Sequence, residues 1–308
     1  MQSPQGQTIK PAWAYPFLGS NPPAPANDGV KHQLVGSSLS LTMVEIFDTF
    51  KAHDWYPDAH PAMPEVVANG RKANDVRACG MCHYPNGQGK PESAALAGLH
   101  YEYIVQQIGD YKSGNRLSSE PKAGPQLRMH STAMNVSDED VKLAARYFSS
   151  LTYKPWIKVV ETETVPKTRV VIGNMWVAIE GEGAGTEPIG QRIVEIPQDY
   201  KRVELRDPTA GFVAYVPTGS INKGEALVKT GGNGKTIACI LCHGPELKGV
   251  GSIPPLAGRS PQYLARQIFD MKNGTRKGAI AEAMLPVIEK LSEEDVVNIL
   301  AYVSSRKP

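Results

Sequence analysis

Cys79-Gly80-Met81-Cys82-His83 and Cys239-Ile240-Leu241-Cys242-His243 are the two stretches on which the reading of this chain turns. Each sets two thiols at C-x-x-C spacing with a histidine directly behind. Two intervening residues put both sulfurs on one face of a helical turn. This suits two thioether bonds to the vinyl groups of one porphyrin, with the next imidazole carried beneath the ring as proximal ligand of the iron. These four cysteines are all the chain has, so no thiol is left over. A zinc ribbon also uses two C-x-x-C pairs, but these normally lie tens of residues apart, and here 156 residues separate Cys82 from Cys239. A redox dithiol does not need the histidine, and a structural disulfide does not favour the two-residue gap. Covalent haem is the leading expectation, with zinc or redox thiols as the alternatives.

Sliding the chain on itself by 160 residues superposes the two motifs and much around them. Leu96-Ala97-Gly98 falls on Leu256-Ala257-Gly258, Tyr103 on Tyr263, Gln107-Ile108 on Gln267-Ile268, and Asp110, Lys112, Gly114 and Arg116 on Asp270, Lys272, Gly274 and Arg276. Upstream, Glu65–Ala68 falls on Glu225–Val228, a short apolar helix before each motif. Past Arg116 the offset drops to 155, so the first copy carries five more residues in its loop. Ser137 then meets Ser292, each reading as the N-cap of a terminal helix with acidic residues in its first turn. On the same shift Tyr147 meets Tyr302 and Met129 meets Met284.

Each repeat resembles a small class I cytochrome c domain, with an N-terminal helix, C-x-x-C-H, an L-A-G segment before a middle helix, a methionine on a loop and a capped C-terminal helix. Together they look like a dihaem cytochrome c. The resemblance implies two covalently bound haem c groups, held through Cys79, Cys82, Cys239 and Cys242. It implies His83 and Met129 as axial ligands of the first iron, and His243 and Met284 of the second. The implied fold class is mainly α: two helical haem domains joined by a partly β or extended connector. The first repeat departs in having Ala94 where the second has Pro254, at the carbonyl that orients the proximal histidine. It also offers rivals for the iron, since His130 adjoins Met129 and Met134 lies five residues on. Other histidines, His32, His53, His60 and His100, form no metal-binding pattern and are expected to be non-ligands.

The expected division is a Pro-rich extension over 1–64, haem domains over 65–154 and 221–308, and a connector over 155–220. The extension holds Pro22-Pro23-Ala24-Pro25 and one amphipathic stretch, Leu41 to Phe50. β-Branched runs at 156–160, 169–172, 192–196 and 212–216 predict short strands in the connector, with Trp156, Trp176 and Phe212 as buried anchors. Met1 is followed by polar residues without the charged and apolar regions of a secretory signal. Haem of this kind resembles that of proteins matured outside the cytoplasm, so the expectation is a periplasmic protein whose native signal was removed.

Lys and Arg number 33 against 31 Asp and Glu, which gives no reason to propose a nucleic-acid partner, and the sequence shows no transmembrane segment. Basic residues outnumber acidic ones in both haem repeats, and the order reverses in the extension and the connector. A basic rim around a haem edge would steer an acidic redox partner; acidic segments wrapped on the repeats would neutralise it. A His/Met iron is six-coordinate and leaves no vacant position for substrate. The expected function is a one-electron carrier, or the cytochrome subunit of a dehydrogenase complex, passing electrons toward a terminal acceptor. Its partners would be a donor dehydrogenase and an acceptor oxidase or other cytochrome, and no catalytic residue is expected. The alternative is a dihaem enzyme, a peroxidase or thiosulfate-dehydrogenase-like protein with an opened first haem; a Cys-ligated variant is excluded because there is no fifth cysteine.

Overall fold

The first motif forms a single helical turn, α1 (Cys79–His83), in a computed structural model that describes residues 8–19 and 26–308. Met1 and the run Pro22-Pro23-Ala24-Pro25 lie outside the described residues. Three longer helices follow: α2 (Tyr101–Lys112), α3 (Gly124–Asn135) and α4 (Asp138–Ser150). Ser137 caps α4, its hydroxyl accepting from the Asp140 amide at 3.1 Å. Ile104 of α2 and Ala145 and Phe148 of α4 are buried together with Val66, Val67 and Leu99 in the core of this repeat. The helical spacing of Val141, Ala144, Ala145 and Phe148 lets α4 bury one continuous apolar face.

Residues 157–217 carry a three-stranded sheet. β1 (Ile157–Thr162) and β3 (Phe212–Pro217) run parallel, with Ile157 opposite Phe212, and β2 (Val194–Pro197) lies antiparallel on the other side of β3. Thr168–Val171 and Met175–Ala178 form a separate hairpin. All four expected runs hold strand residues. Phe212 is fully buried against the edge of Trp156 at 5.1 Å between ring centres, while Trp156 and Trp176 are only partly buried.

In the second repeat α5 (Ser220–Gly234) leads to the motif turn α6 (Ile240–His243), then α7 (Pro261–Lys272) and α8 (Glu293–Ser305). The last turn of α5 leaves helical geometry at Gly231–Asn233. Where α5 crosses α8, a Cβ on Gly224 would stand 1.9 Å from the Asn298 carbonyl oxygen, so glycine permits the approach. Its counterpart in the first repeat is far shorter, the four residues Glu65–Ala68. Ser292 caps α8 in a full capping box with Asp295.

The extension and the connector serve both repeats. Trp13, Ala14 and Tyr15 are buried in the core of the second, together with Ile193, Ala214 and Val216 of the connector. Glu195 on β2 is fully buried and accepts from the Ser260 hydroxyl at 2.7 Å and the Gln262 amide at 3.0 Å, so the connector caps the start of α7. The amphipathic stretch forms one capped turn, Met43–Ile46, whose Ile46 packs with Leu34, Leu41, Trp55 and Leu205.

Burial pushes the Glu195 carboxyl up to about 7 from its usual 4.5. An acid that holds its proton more tightly when folded stabilises the protein at low pH. That contribution is lost as pH climbs from near 4.5 through about 7. Denaturant titrations should therefore show stability falling by about 3 kcal/mol over that window, and Glu195→Gln should flatten the slope.

Candidate functional site

His83 is buried, and its Nδ1 donates to the Ala94 carbonyl oxygen at 2.7 Å. His243 does the same toward the Pro254 carbonyl at 2.8 Å. These are the paired positions expected from the repeat, and the contact forms with or without the proline ring. Burial pushes the His83 imidazole down to about 4 and lowers that of His243, which favours the neutral ring at both positions. A neutral ring whose Nδ1–H is committed to a carbonyl has Nε2 left as a lone-pair donor, the form a metal needs. Burial also raises the thiols, Cys79 up to about 12 and Cys239 up to about 11.

A tight loop brings the carbonyl under the ring. The Gly89 amide donates to the His83 carbonyl at 3.0 Å, and Gly249 repeats this on His243 at 2.9 Å. Gly89 has φ +68°, and a Cβ there would lie 2.6 Å from the Ala94 oxygen itself, so a larger residue would displace the acceptor of His83. The same backbone path demands positive φ just after each histidine, which Gly244 adopts freely and Tyr84 adopts under strain while buried.

Cys79, Cys82, His83 and Met129 all line one cavity of about 430 Å³, with walls that include Leu99, Ile104, Val141 and Phe148. One expectation is corrected here. Met129 lies not on a loop but within α3, because Pro125 starts that helix and no breaker follows before Val136. The helix turns Ala133 fully inward and sets Met129 and His130 on either side of that face. His130 lines the same cavity, and its Nδ1 is buried without a hydrogen-bond partner. Met134 is 49 % exposed and is not part of the lining, which removes one rival. In the second repeat Cys239 and Met284 pack on the same apolar cluster, and Met284 sits at the junction of the short helices Ala279–Glu282 and Leu285–Ile288.

The repeated polar residues, which the sequence displayed without revealing their purpose, meet between the repeats. Arg116 donates to Gln107 Oε1 at 2.8 Å and, across the boundary, to Tyr263 Oη at 3.0 Å and Gln267 Oε1 at 3.2 Å. Arg276 mirrors it on Gln267 at 3.1 Å, Tyr103 at 3.1 Å and Gln107 at 2.9 Å. Backbone bonds close the seam, Leu117 N to Thr275 O and Lys277 N to Asn115 O, both 2.8 Å. The signal available in the sequence was polar side chains at matching positions on helices that are otherwise apolar inside.

Arg116 and Arg276 are buried, and among the described residues their hydrogen-bond partners are neutral oxygens. Buried cations normally require countercharge, and a porphyrin that carries carboxylate arms would supply it, since Arg116 lines the cavity. Paired thiols, a neutral buried imidazole, apolar walls and an uncompensated guanidinium together fit a covalently attached haem.

The Cytochrome c family profile matches residues 67–152 and 221–307, more than half of the chain. Cytochrome c-554(548) of Halomonas halodenitrificans is 40 % identical over 77 residues, 25 % of this chain and 93 % of that protein. The thiosulfate dehydrogenase electron acceptor of Stutzerimonas stutzeri is 25 % identical over 244 residues, 78 % of this chain and 84 % of that protein. Cytochrome c4 of Pseudomonas aeruginosa is 24 % identical over 250 residues, 80 % of this chain and 90 % of that protein.

Replacing Arg276 by Met should leave the buried Tyr103 hydroxyl without its guanidinium donor and leave Gln107 and Gln267 with Arg116 alone, at a cost of about 2 kcal/mol in a denaturant titration. Arg276→Lys should recover only part of it, since an ammonium cannot fork between three acceptors as guanidinium does.

Proposed function

Because the chain belongs to the cytochrome c family, with a matching domain and a haem c attached at each motif, we propose that it is a periplasmic one-electron carrier that receives electrons from a dehydrogenase and passes them toward a terminal acceptor. The observation that carries this reading is the duplicated site: two buried neutral imidazoles, each fixed by a backbone carbonyl and each paired with a methionine at the corresponding point of its repeat. We assign His83 and Met129 to the first iron, His243 and Met284 to the second.

When bound, each haem c would supply reversible one-electron chemistry, and Met129 and Met284, held as thioether ligands together with His83 and His243, would raise its reduction potential. The chain does the rest. His83 and His243 stay neutral and oriented, and the apolar walls exclude water. Arg116 and Arg276 hold positive charge between the two sites, which favours the reduced state of both and brings the domains into one hydrogen-bonded unit.

A dehydrogenase as donor is supported by the relative named as an electron acceptor of thiosulfate dehydrogenase. No helix among the described residues is long and apolar enough to cross a membrane, which fits a protein that meets its partners by diffusion.

Oxidised holoprotein should show the weak sulfur-to-iron absorption band at twice the intensity per chain of a single His/Met haem. Met129→Leu and Met284→Leu should each remove about half of it and lower one of two midpoint potentials. If the unaltered protein already lacks half the band and binds carbon monoxide when reduced, the first site is open and the carrier reading fails there.

A further inference from the structure

Residues 79–90 and 239–250 are equivalent by the 160-residue offset, yet they differ in what covers them. Met81, between the first pair of cysteines, is 7 % exposed; Leu241, between the second pair, is 73 % exposed. Cys82 is partly buried and Cys242 is exposed. Lys90 is largely covered, whereas Val250 is 57 % exposed beside Gly244. Ile237, just ahead of the second motif, is 44 % exposed.

The cause is a cover built from this chain's own extension and connector. Ala52 packs with Ala78 and Met81, and a Cβ on Gly80 would lie 3.0 Å from the Ala52 methyl. Backbone bonds seat the cover, Ala52 N to Ala68 O at 2.7 Å and Ala78 N to Thr49 O at 3.1 Å. From the connector, Arg206 donates to the Met81 carbonyl while its guanidinium stacks over Phe47 and Tyr84. A latch holds the far side, where Asp54 pairs with His60 at 3.0 Å and His60 meets the Tyr147 hydroxyl at 2.9 Å.

We infer that the bare turn around Leu241 is the face through which this chain exchanges electrons with another protein, and that the equivalent face of the first domain is closed to such encounters by residues 43–60 and 205–208. The inference rests on the carrier reading. Its occupant is a redox protein whose contact surface is apolar, nearly uncharged, and provided with an N–H donor at its centre. Two observations define that chemistry. The lysines flanking the turn are already paired, Lys235 with Asp295 at 2.6 Å and Lys248 with Glu246 at 3.3 Å, so the complement of this face is neutral. The first domain shows what such a turn accepts, namely apolar and aromatic side chains with one arginine on the carbonyl between the cysteines. Among the described residues no side chain donates to the matching Leu241 carbonyl, and the residue four positions on is Pro245, which has no N–H to give.

An exposed apolar group at the centre of an otherwise balanced surface is where a short-lived complex gains its affinity. Each encounter moves one electron between the second domain and the partner's redox centre. One side is oxidised and the other reduced by one, and no bond is made or broken. The first domain then communicates with the outside through the Arg116/Arg276 seam.

Stopped-flow oxidation of the reduced holoprotein tests this with two probes, oxidised azurin as a blue-copper protein and hexacyanoferrate(III) as a small oxidant. The pair Leu241→Gln and Val250→Gln, which alters no charge, is expected to slow azurin at least tenfold and to change the hexacyanoferrate rate less than twofold. Val35→Gln, at a 97 % exposed position on the extension, should leave both rates unchanged. An azurin rate that the pair does not alter, or that Val35→Gln lowers equally, overturns the inference. So does a wild-type dimer in sedimentation that the pair dissolves, because the face would then belong to a second copy. Failure of the unaltered protein to exchange electrons with either probe would instead defeat the carrier reading itself.

Discussion

A buried imidazole that donates its Nδ1 proton to a backbone carbonyl, at 2.7 Å in one domain and 2.8 Å in the other, is the contact on which each proposed iron site depends. It fixes the ring's rotation, holds the proton on Nδ1 and leaves Nε2 as the lone-pair donor that the proposed ligation needs. The acceptor lies eleven residues downstream, and the loop between must double back tightly to deliver it. That requirement explains why Gly89 tolerates no Cβ, why Gly249 repeats it, and why Tyr84 and Leu247 hold positive φ without being glycine. Both are buried, so packing offsets the backbone strain.

The seam between domains follows a second constraint. Each repeat alone would leave a guanidinium without enough acceptors, because Arg116 and Arg276 each draw on tyrosine and glutamine from the other repeat. Fusing two copies face to face satisfies both, and it stores positive charge between two redox sites. The N-terminal strap then ties the pair to the connector: Trp13 and Ala14 give their carbonyls to Gln262 and Arg266, and the Tyr15 hydroxyl donates to Asp270 at 2.8 Å.

What could be read in the sequence was whatever the chain says twice or says locally. The attachment motifs, the paired carbonyl positions, the serine caps of α4 and α8 and the strand runs of the connector all depend on near neighbours, and each appears in the structure where the residues place it. The resemblance puts a methionine on a loop in each repeat, and it carries no information about the local sequence after Pro125, which starts a helix through Met129 in the first repeat. The cover over Met81 and the strap at Trp13 were not legible at all. Arg206 reaches Met81 and Gln262 reaches Trp13 across more than a hundred residues, the shorter contacts of Thr49 and Ala52 follow no period or motif, and the extension reads as small and proline-rich until its partners are in view. The unequal exposure of Met81 and Leu241 follows from that cover, so two near-identical motifs came out structurally distinct.

The proposed His/Met ligation at both sites is the claim on which the rest hangs, and X-ray absorption at the iron K-edge of the oxidised holoprotein measures it directly. Two His/Met sites give one sulfur neighbour per iron, with nitrogen filling the other five positions. A first shell with half a sulfur per iron would mean that one site has taken His130 or solvent in place of methionine, and would contradict the equivalence of the two haems.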